Sequence, residues 1–382
     1  MKKILVVLET EPEYGGAHQY ASTIMDCLIE MDSNEIEVVA ICKNRYWRKW
    51  CKKNGIRILT ISWYEFSIQE QKYHLRYSIF SRVYSMYISQ IGKVFLKEKL
   101  DVILTTSQGM FIPNLSIKVI VPVHDLMHRY EQKFPEVRNN YEAREVVFSS
   151  NAKYAECILT DSKVGTRQFV ESYSGYMKNK TPYVISMPFI VPRHVDECTE
   201  EFIEVSPKYI FYPAQFWQHK NHLNLIKAIK ILSKDIPDIH LVLVGSEKNN
   251  MKTIKKIISE NCLDKNVTIL GFVSNENVTY LYKHAVGLVM PSYFGPTNIP
   301  PLEAMALGCP VAVSNKYAMP EQVGDAGLLF NPDSPEEIAA CIKAMWLDDT
   351  LRQHMIRKGY DRINRWTKQK FREKLQKILI NI

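Results

Sequence analysis

The chain has 382 residues, 46% hydrophobic and 24% charged, with a formal net charge of +8. That length is too great for one ordinary core and predicts two domains, and the composition excludes a disordered chain. No run approaches the roughly 20 apolar residues that span a bilayer, so a soluble globular protein is expected.

The start, MKKILVVLETEPEYGG, superficially fits a signal peptide, but its apolar part stops at Leu8 and Glu9, Glu11 and Glu13 follow. It reads instead as a strand, Ile4–Leu8, of the near-continuous apolar kind buried in a parallel sheet. A Gly15-Gly16 loop and the helical stretch Ala17–Met31 come next. EIEVVAIC, IRILTI, DVILTT, VIVPVHDL, ECILTDS and PYVISM read as further strands with helical patterns between them. Such repeated βα units predict a doubly wound sheet. The pattern restarts at Tyr209–Tyr212 after a polar, Pro-containing connection around Ile190–Pro207. It continues through IHLVLVGS, NVTILGFV, AVGLVMPS and CPVAVSN, and the tail RWTKQKFREKLQKILINI predicts an amphipathic basic helix. The expected boundaries are 1–190 for a first domain, 191–206 for a linker, 207–365 for a second, and 366–382 for a helix that can return to the first.

The positive charge suits anionic partners. Segment Lys43–Lys53, KNRYWRKWCKK, carries six cations and no acid, interleaved with Tyr46, Trp47 and Trp50. It fits a helix or loop lying on anionic lipid, and equally a solvated basic helix packed by its tryptophans. A basic, tyrosine-rich stretch, Lys72–Lys99, would extend that surface. No reader module accompanies the charge, so nucleic acid is not an expected partner. The eight cysteines lack C-x-x-C or His-paired metal spacing. Cys27, Cys157 and Cys309, inside apolar runs, read as small core residues of a reducing compartment, and a cytoplasmic location is expected.

The most informative stretch is Val289–Ser314, VMPSYFGPTNIPPLEAMALGCPVAVS: strand, polar loop, helix, Gly stop, strand. Pro301 suits the first helical position, which puts Glu303 in the first turn, and Gly308 supplies the left-handed residue that ends the helix. Loop amides along a helix N-terminus make an anion site, and a carboxylate beside them can accept hydrogen bonds from a sugar diol. In an ordinary βαβ turn, Glu303 would only favour the helix dipole.

This stretch resembles the donor-site signature of retaining, nucleotide-sugar-dependent glycosyltransferases of family 4. The whole layout resembles their GT-B fold, an α/β architecture of two Rossmann-like doubly wound parallel-sheet domains facing across a cleft. EYGGAHQYASTIMDCL is similar to the family's first Gly-rich loop, where Gly15 and Gly16 allow close backbone approach to phosphate or acceptor. VPVHDLMHRYEQKFPE resembles the segment of the active-site His-Asp pair. The resemblance implies that His124 contacts the donor sugar and the reacting centre, with Asp125 orienting the loop. In ECILTDSKVGTRQF, Asp161 and Ser162 are expected to cap a helix. YPAQFWQHKNHLNLIKAI resembles the diphosphate-holding segment, with Lys220 at the phosphate lysine and Gln215 where the family usually has an arginine. His219 and His222 flank that site and are candidates to compensate for the missing charge. Gly245 would face the same cleft, and backbone at Phe272 and Val273 would read the base. Glu303 matches the second glutamate of the donor motif, which the family uses on ribose hydroxyls. The first glutamate position is Gly295, leaving Thr297, Asn298 and Ile299 to meet sugar and phosphate. Glu321 matches another position near the cleft.

No D-x-D occurs, and the resemblance implies metal-independent chemistry with no cofactor. No carboxylate is placed as a convincing covalent nucleophile, and the resemblance implies retention by front-face attack. The implied activity moves a sugar from a nucleoside-diphosphate donor to a hydroxyl, plausibly on a lipid-linked glycan of a surface-polysaccharide pathway (O-antigen or capsule), at the inner face of the plasma membrane. A nucleotide-sugar epimerase on the same fold stays open. So does a non-catalytic binding or scaffold subunit, to which Gln215 and Gly295 lend weight.

Overall fold

The structure is a computed structural model that describes residues 1–32, 34–60, 90–109, 118–177, 181–192, 195, 201–295 and 298–382. The chain divides into two compact units, Met1–Pro188 with Lys368–Ile382, and Phe189–Thr367.

In the first unit the apolar runs become β1 (Lys2–Leu8), β2 (Ile36–Cys42), β3 (Arg57–Ile58), β4 (Val102–Thr105), β5 (Lys118–Val123), β6 (Cys157–Thr160) and β7 (Tyr183–Ser186). They pair in the order β3-β2-β1-β4-β5-β6-β7, parallel throughout. Strand order reverses beside β1, which is where open α/β sheets place their ligands, beyond the strands' C-terminal ends. The helices α1 (Gly16–Ile29), α2 (Arg45–Lys53), α3 (Gln90–Glu98), α4 (Tyr141–Tyr154) and α5 (Lys163–Tyr173) alternate with the strands. Leu5, Val7, Ile103, Val121 and Ile158 of the sheet pack with Phe148 of α4 and Phe169 and Tyr173 of α5 in one buried cluster. The IRILTI strand is only the two residues of β3, and its last residue, with most of Lys72–Lys99, lies outside the described residues.

Helix α2 carries the basic segment. Asn44 caps it by accepting from the Trp47 N–H, and its five cations, with Lys43 just before the cap, are exposed. Trp47 itself is fully buried, and its indole donates to the Thr10 carbonyl at 2.6 Å. The tryptophan therefore anchors the helix to the core. The three aromatics do not form a common exposed face, because burying an indole is worth far more than wetting it.

The second unit has β8 (Ile210–Pro213), β9 (Leu241–Val244), β10 (Val267–Gly271), β11 (Gly287–Met290), β12 (Val311–Ser314) and β13 (Gly327–Phe330) in the order β10-β9-β8-β11-β12-β13, again parallel. Strand β13 is absent from the sequence reading: it is a four-residue edge strand with Leu329 exposed, too short and too mixed to show a period. The helices are α6 (His222–Leu232), α7 (Met251–Glu260), α8 (Asn275–His284), α9 (Ile299–Ala306), α10 (Pro335–Leu347) and α11 (Asp349–Asn364). The last helix, α12 (Lys368–Asn381), belongs to the first unit: Phe371, Leu375 and Leu379 are buried, and Lys368 and Arg372 pair with Glu30 at the end of α1. Among the described residues no helix is long and apolar enough to cross a membrane.

Candidate active site

In the first unit the strand ends gather a polar cluster. Gly15, at φ 58°, is the N-cap of α1, and Gly16 opens that helix. His124 follows β5, and its Nδ1 lies 3.1 and 3.0 Å from the two oxygens of Asp161, which follows β6. Tyr20 of α1 meets the imidazole edge-on, with 4.7 Å between ring centroids. Burial works against a charged imidazole, but the Asp161 carboxylate outweighs it and raises the pKa of His124. Burial likewise pushes the Asp161 carboxyl up, with His124 opposing. The sequence assigned Asp161 to capping, and the structure corrects this. Ser162 alone caps α5, its Oγ accepting from the Gly165 N–H at 2.9 Å, while the Asp161 carboxylate turns to the imidazole. A buried carboxylate needs a cationic or strongly donating partner, and His124 is one.

Asp125 does orient its own loop. It accepts from the Met127 N–H at 3.0 Å and from Arg144 of α4 at 2.6 Å. Burial would raise its pKa, but Arg144 overrides that and holds it down to about 2. The next residue of α4, Glu145, receives a two-pronged bond from Arg129 at 2.6 Å on each arm, and also meets His128 and Tyr173 at 2.9 Å each. Consecutive residues of α4 thus brace both ends of the segment 125–129. Arg144 and Glu145 carry no motif, so sequence reasoning passed over them.

In the second unit Lys220 ends a short turn after β8. The turn is fixed by Tyr212, whose hydroxyl donates to the Lys220 carbonyl at 2.9 Å. Burial lowers the Lys220 pKa to about 8, and among the described residues no acid lies against it. The Lys220 turn is stitched to the loop after β11. The Tyr293 N–H donates to the His219 carbonyl at 2.9 Å, Asn221 donates to the Pro291 carbonyl at 3.1 Å, and His219 stacks on Phe294 at 4.2 Å. His222 does not compensate for charge. It is fully buried between Tyr212 and Phe216, and burial pushes its pKa down to about 3, so it is neutral. Gln215 is engaged by the Trp217 indole at 2.8 Å, and Lys248 rides over that indole at 5.3 Å. Lys248, from the loop after β9, brings a cation beside the position where Gln215 has none. No local signal marked it.

Gly245 closes β9 at a place where a Cβ would collide with the Ala214 carbonyl, so only glycine lets the two loops touch. Its neighbour Ser246 has a buried hydroxyl with no hydrogen-bond partner among the described residues. Phe272 is 87% exposed and Val273 half-buried, at the end of β10.

Helix α9 starts at Ile299, two residues before Pro301, so Pro300 and Pro301 both occupy its first turn and Glu303 falls in the second. Proline is tolerated throughout a first turn because those N–H groups have no helical partner. Gly308, at φ 70°, follows the helix end as expected. Glu303 is 7% exposed, and its carboxylate accepts from Tyr282 of α8 at 2.9 Å. That hydroxyl also reaches the Pro300 carbonyl at 3.3 Å, so Tyr282 ties the carboxylate to the helix start. Asn298 caps no amide with its side chain; it packs against Gly295, where any Cβ would strike it. Gln322 clasps the Asn298 backbone from both sides, its Oε1 accepting from the N–H at 2.9 Å and its Nε2 donating to the carbonyl. The predicted Glu321 sits one residue earlier in the short helix Met319–Val323, with its carbonyl held by Arg362. Thr297 lies outside the described residues.

With this geometry in place, the chain's likenesses to known proteins can be set beside it. Residues 198–362 match the family model described as glycosyl transferases group 1. The match lies within the second unit. Its sequence is 26% identical over 259 residues to the O-antigen chain mannosyltransferase B of Escherichia coli, covering 66% of this chain and 67% of that protein. It is 31% identical over 145 residues to the O-antigen chain mannosyltransferase RfbU of Salmonella typhimurium, covering 37% and 40%. To the human alpha-1,3/1,6-mannosyltransferase ALG2 it is 24% identical over 254 residues, covering 60% and 59%. The chain thus spans from two fifths to two thirds of these relatives. The Anabaena HepE protein, solved with UDP and glucose, superposes with a TM-score of 0.70 at 15% identity over the full length of both chains. A sucrose-phosphate synthase of Thermosynechococcus elongatus gives 0.69 at 16% identity, over 99% of this chain and 98% of that one. The chain has the GT-B fold class, with two parallel α/β sheets.

Proposed function

We propose that this glycosyltransferase moves a hexose, mannose being the first candidate, from a nucleoside-diphosphate sugar to a hydroxyl of a lipid-linked glycan, with retention at the anomeric carbon. The observation that carries the reading is Lys220, a half-buried cation, its pKa lowered by desolvation, with no described acid against it, in a turn bonded to the loop that leads into the Glu303 helix. Burying a cation costs free energy that an anionic ligand recovers, and the leaving diphosphate is such an anion. Lys248 and the amide end of α9 add positive potential on the same face of the sheet. Glu303, held by Tyr282, accepts hydrogen bonds from the ribose hydroxyls, while Gly245, Phe272 and Val273 frame the nucleotide. His124, steadied by Asp161, serves the donor sugar and the reacting centre. The acceptor proton leaves on the departing phosphate oxygen, and no metal is required by these residues.

The names of the relatives support mannose and O-antigen assembly, and the nucleotide in the HepE structure supports a nucleotide-sugar donor. The acceptor reading extends to an anionic membrane surface, because the tryptophan-anchored helix α2 presents Arg45, Arg48, Lys49, Lys52 and Lys53 to solvent, with Lys43 exposed just before its cap. Replacing Lys43, Arg45, Arg48 and Lys49 together releases the protein from phosphatidylglycerol vesicles; a wild-type protein that never binds such vesicles removes the membrane from the proposal.

A thermal-shift panel of UDP-, GDP- and dTDP-sugars tests the donor, since a ligand of the folded state raises the unfolding temperature. The proposal expects one nucleotide class to stabilise the protein and the transferred sugar to keep its anomeric configuration by NMR. Stabilisation by none of them refutes it, as does an inverted product. Conversion of the sugar nucleotide to an isomer without an acceptor shows an epimerase instead.

A further inference from the structure

Gln108, in the turn after β4, belongs to no motif and has no role in the reading above. Its side chain grips the strand end beside it. Oε1 accepts from the backbone N–H of His124 at 2.8 Å and of Asp125 at 3.3 Å, while Nε2 donates to Asp125 Oδ2 at 3.3 Å. Only a group with an acceptor and a donor on one planar head can do both, and a neutral amide is that group. A carboxylate could take the two N–H groups but would then face the Asp125 carboxylate. An apolar side chain could do neither. From the opposite side Arg144 donates to the Asp125 carbonyl at 2.7 Å and to Oδ1 at 2.6 Å. The backbone of His124 is therefore held from β4, and its ring from β6 through Asp161.

We infer that Gln108 is a positioning residue, which fixes the backbone from which the His124 imidazole projects and so sets the ring's place against Asp161. It acts through His124 and touches no substrate. The inference rests on the proposed role of His124 for its meaning, yet the placement of the ring can be followed with no substrate present. The charged and titratable groups around the clamp are Asp125 and His124 on its own loop, Asp161 after β6, Arg144 and Glu145 on α4, His128 and Arg129 in the following turn, and Tyr20 on α1.

The test is a change of one atom. Gln108→Glu places a second carboxylate against Asp125. When the two share a proton, the protonated glutamate reproduces the amide, with C=O accepting and O–H donating; when they do not, repulsion opens the clamp. Histidine-selective ¹⁵N NMR of the full chain reads this directly, with the His124 signals assigned by their loss in His124→Asn. Gln108→Glu should match wild type near pH 6 and depart from it near pH 8, while Gln108→Ala departs at both. Release of nucleoside diphosphate from GDP-mannose and UDP-glucose should fall at least about tenfold in Gln108→Glu near pH 8 and recover to within about threefold near pH 6, whereas Gln108→Ala stays low at both. Should Gln108→Ala fail to fold, Gln108→Asn keeps the amide on a shorter stem and should show the same pH-independent displacement. Superimposable His124 spectra for wild type and Gln108→Glu over this range overturn the inference, as does a Gln108→Ala or Gln108→Asn protein with the wild-type His124 spectrum. A wild-type chain that releases diphosphate from neither donor counts against the transferase reading, while the NMR comparison still decides the clamp.

Discussion

The two units carry the same βα alternation and the same reversal of strand order, but they treat charge in opposite ways. In the first unit the charged groups gathered around His124 are matched: His124 by Asp161, Asp125 by Arg144, and Glu145 by Arg129 and His128. In the second unit Lys220 is half-buried with no described acid against it, and the Ser246 hydroxyl is buried with no partner among the described residues. A matched network is rigid and places one imidazole; an unmatched cation is a standing cost that a bound anion removes. The contrast assigns geometry to the first unit and anion binding to the second.

The sharpest way to break this comparison is to delete the unmatched cation. Lys220→Ala should reduce kcat/KM for donor consumption by about 2–4 kcal/mol of transition-state stabilisation, and unchanged turnover would end its role. The matched side can be probed by acid. Asp125 has its pKa lowered from 3.8 to about 2, so its stabilisation is fully present above pH 3.8 and is lost as pH falls toward 2. That shift corresponds to about 2 kcal/mol. In urea unfolding of the first unit, the stability gap between wild type and Asp125→Asn should therefore narrow across that window. A constant gap would mean that Arg144 does not hold the carboxylate as described.

Lys220 also gives the second unit a pH signature. Its pKa of about 8 means that the free protein loses this charge above pH 8, and binding of a diphosphate must then take up a proton. Calorimetry should show affinity for the cognate nucleoside diphosphate falling up to about tenfold per pH unit above 8. Flat affinity between pH 7 and 9 would contradict the unmatched-cation picture. Smallest is the effect of Tyr282→Phe, which deletes the hydroxyl donating to Glu303. It should weaken nucleotide binding by about 0.5–1.5 kcal/mol, and less for a 2′,3′-dideoxynucleotide, which lacks the hydroxyls Glu303 is proposed to hold. Equal losses for both nucleotides would separate Tyr282 from ribose recognition.

Much of the architecture was legible because buried parallel strands write themselves as apolar runs: Ile4–Leu8 and Leu241–Val244 are read without ambiguity. The edge strand β13 was not, since it has only four residues, of which Leu329 is exposed and Phe330 alone is buried. Helix starts were legible where a cap had a side chain, as at Ser162, and misread at α9, where two prolines in one turn blur which is first. The site residues at strand ends could be named from motif and position, whereas their partners could not. Asp161 was taken for a cap, His222 for a source of charge, and Gln108, Arg144, Lys248, Tyr282 and Gln322 were not marked at all.

By itself the sequence determined the two βα repeats and the strand ends where chemistry gathers, because hydrophobic period and turn chemistry are local properties of the string. Which carboxylate meets which cation was decided only in three dimensions. Asp161 lies 37 residues from His124, and Tyr282 lies 21 from Glu303. Side chains that far apart along the chain become neighbours only when parallel strands set their ends side by side, and the resulting burial, not residue type, fixes which of them carries charge.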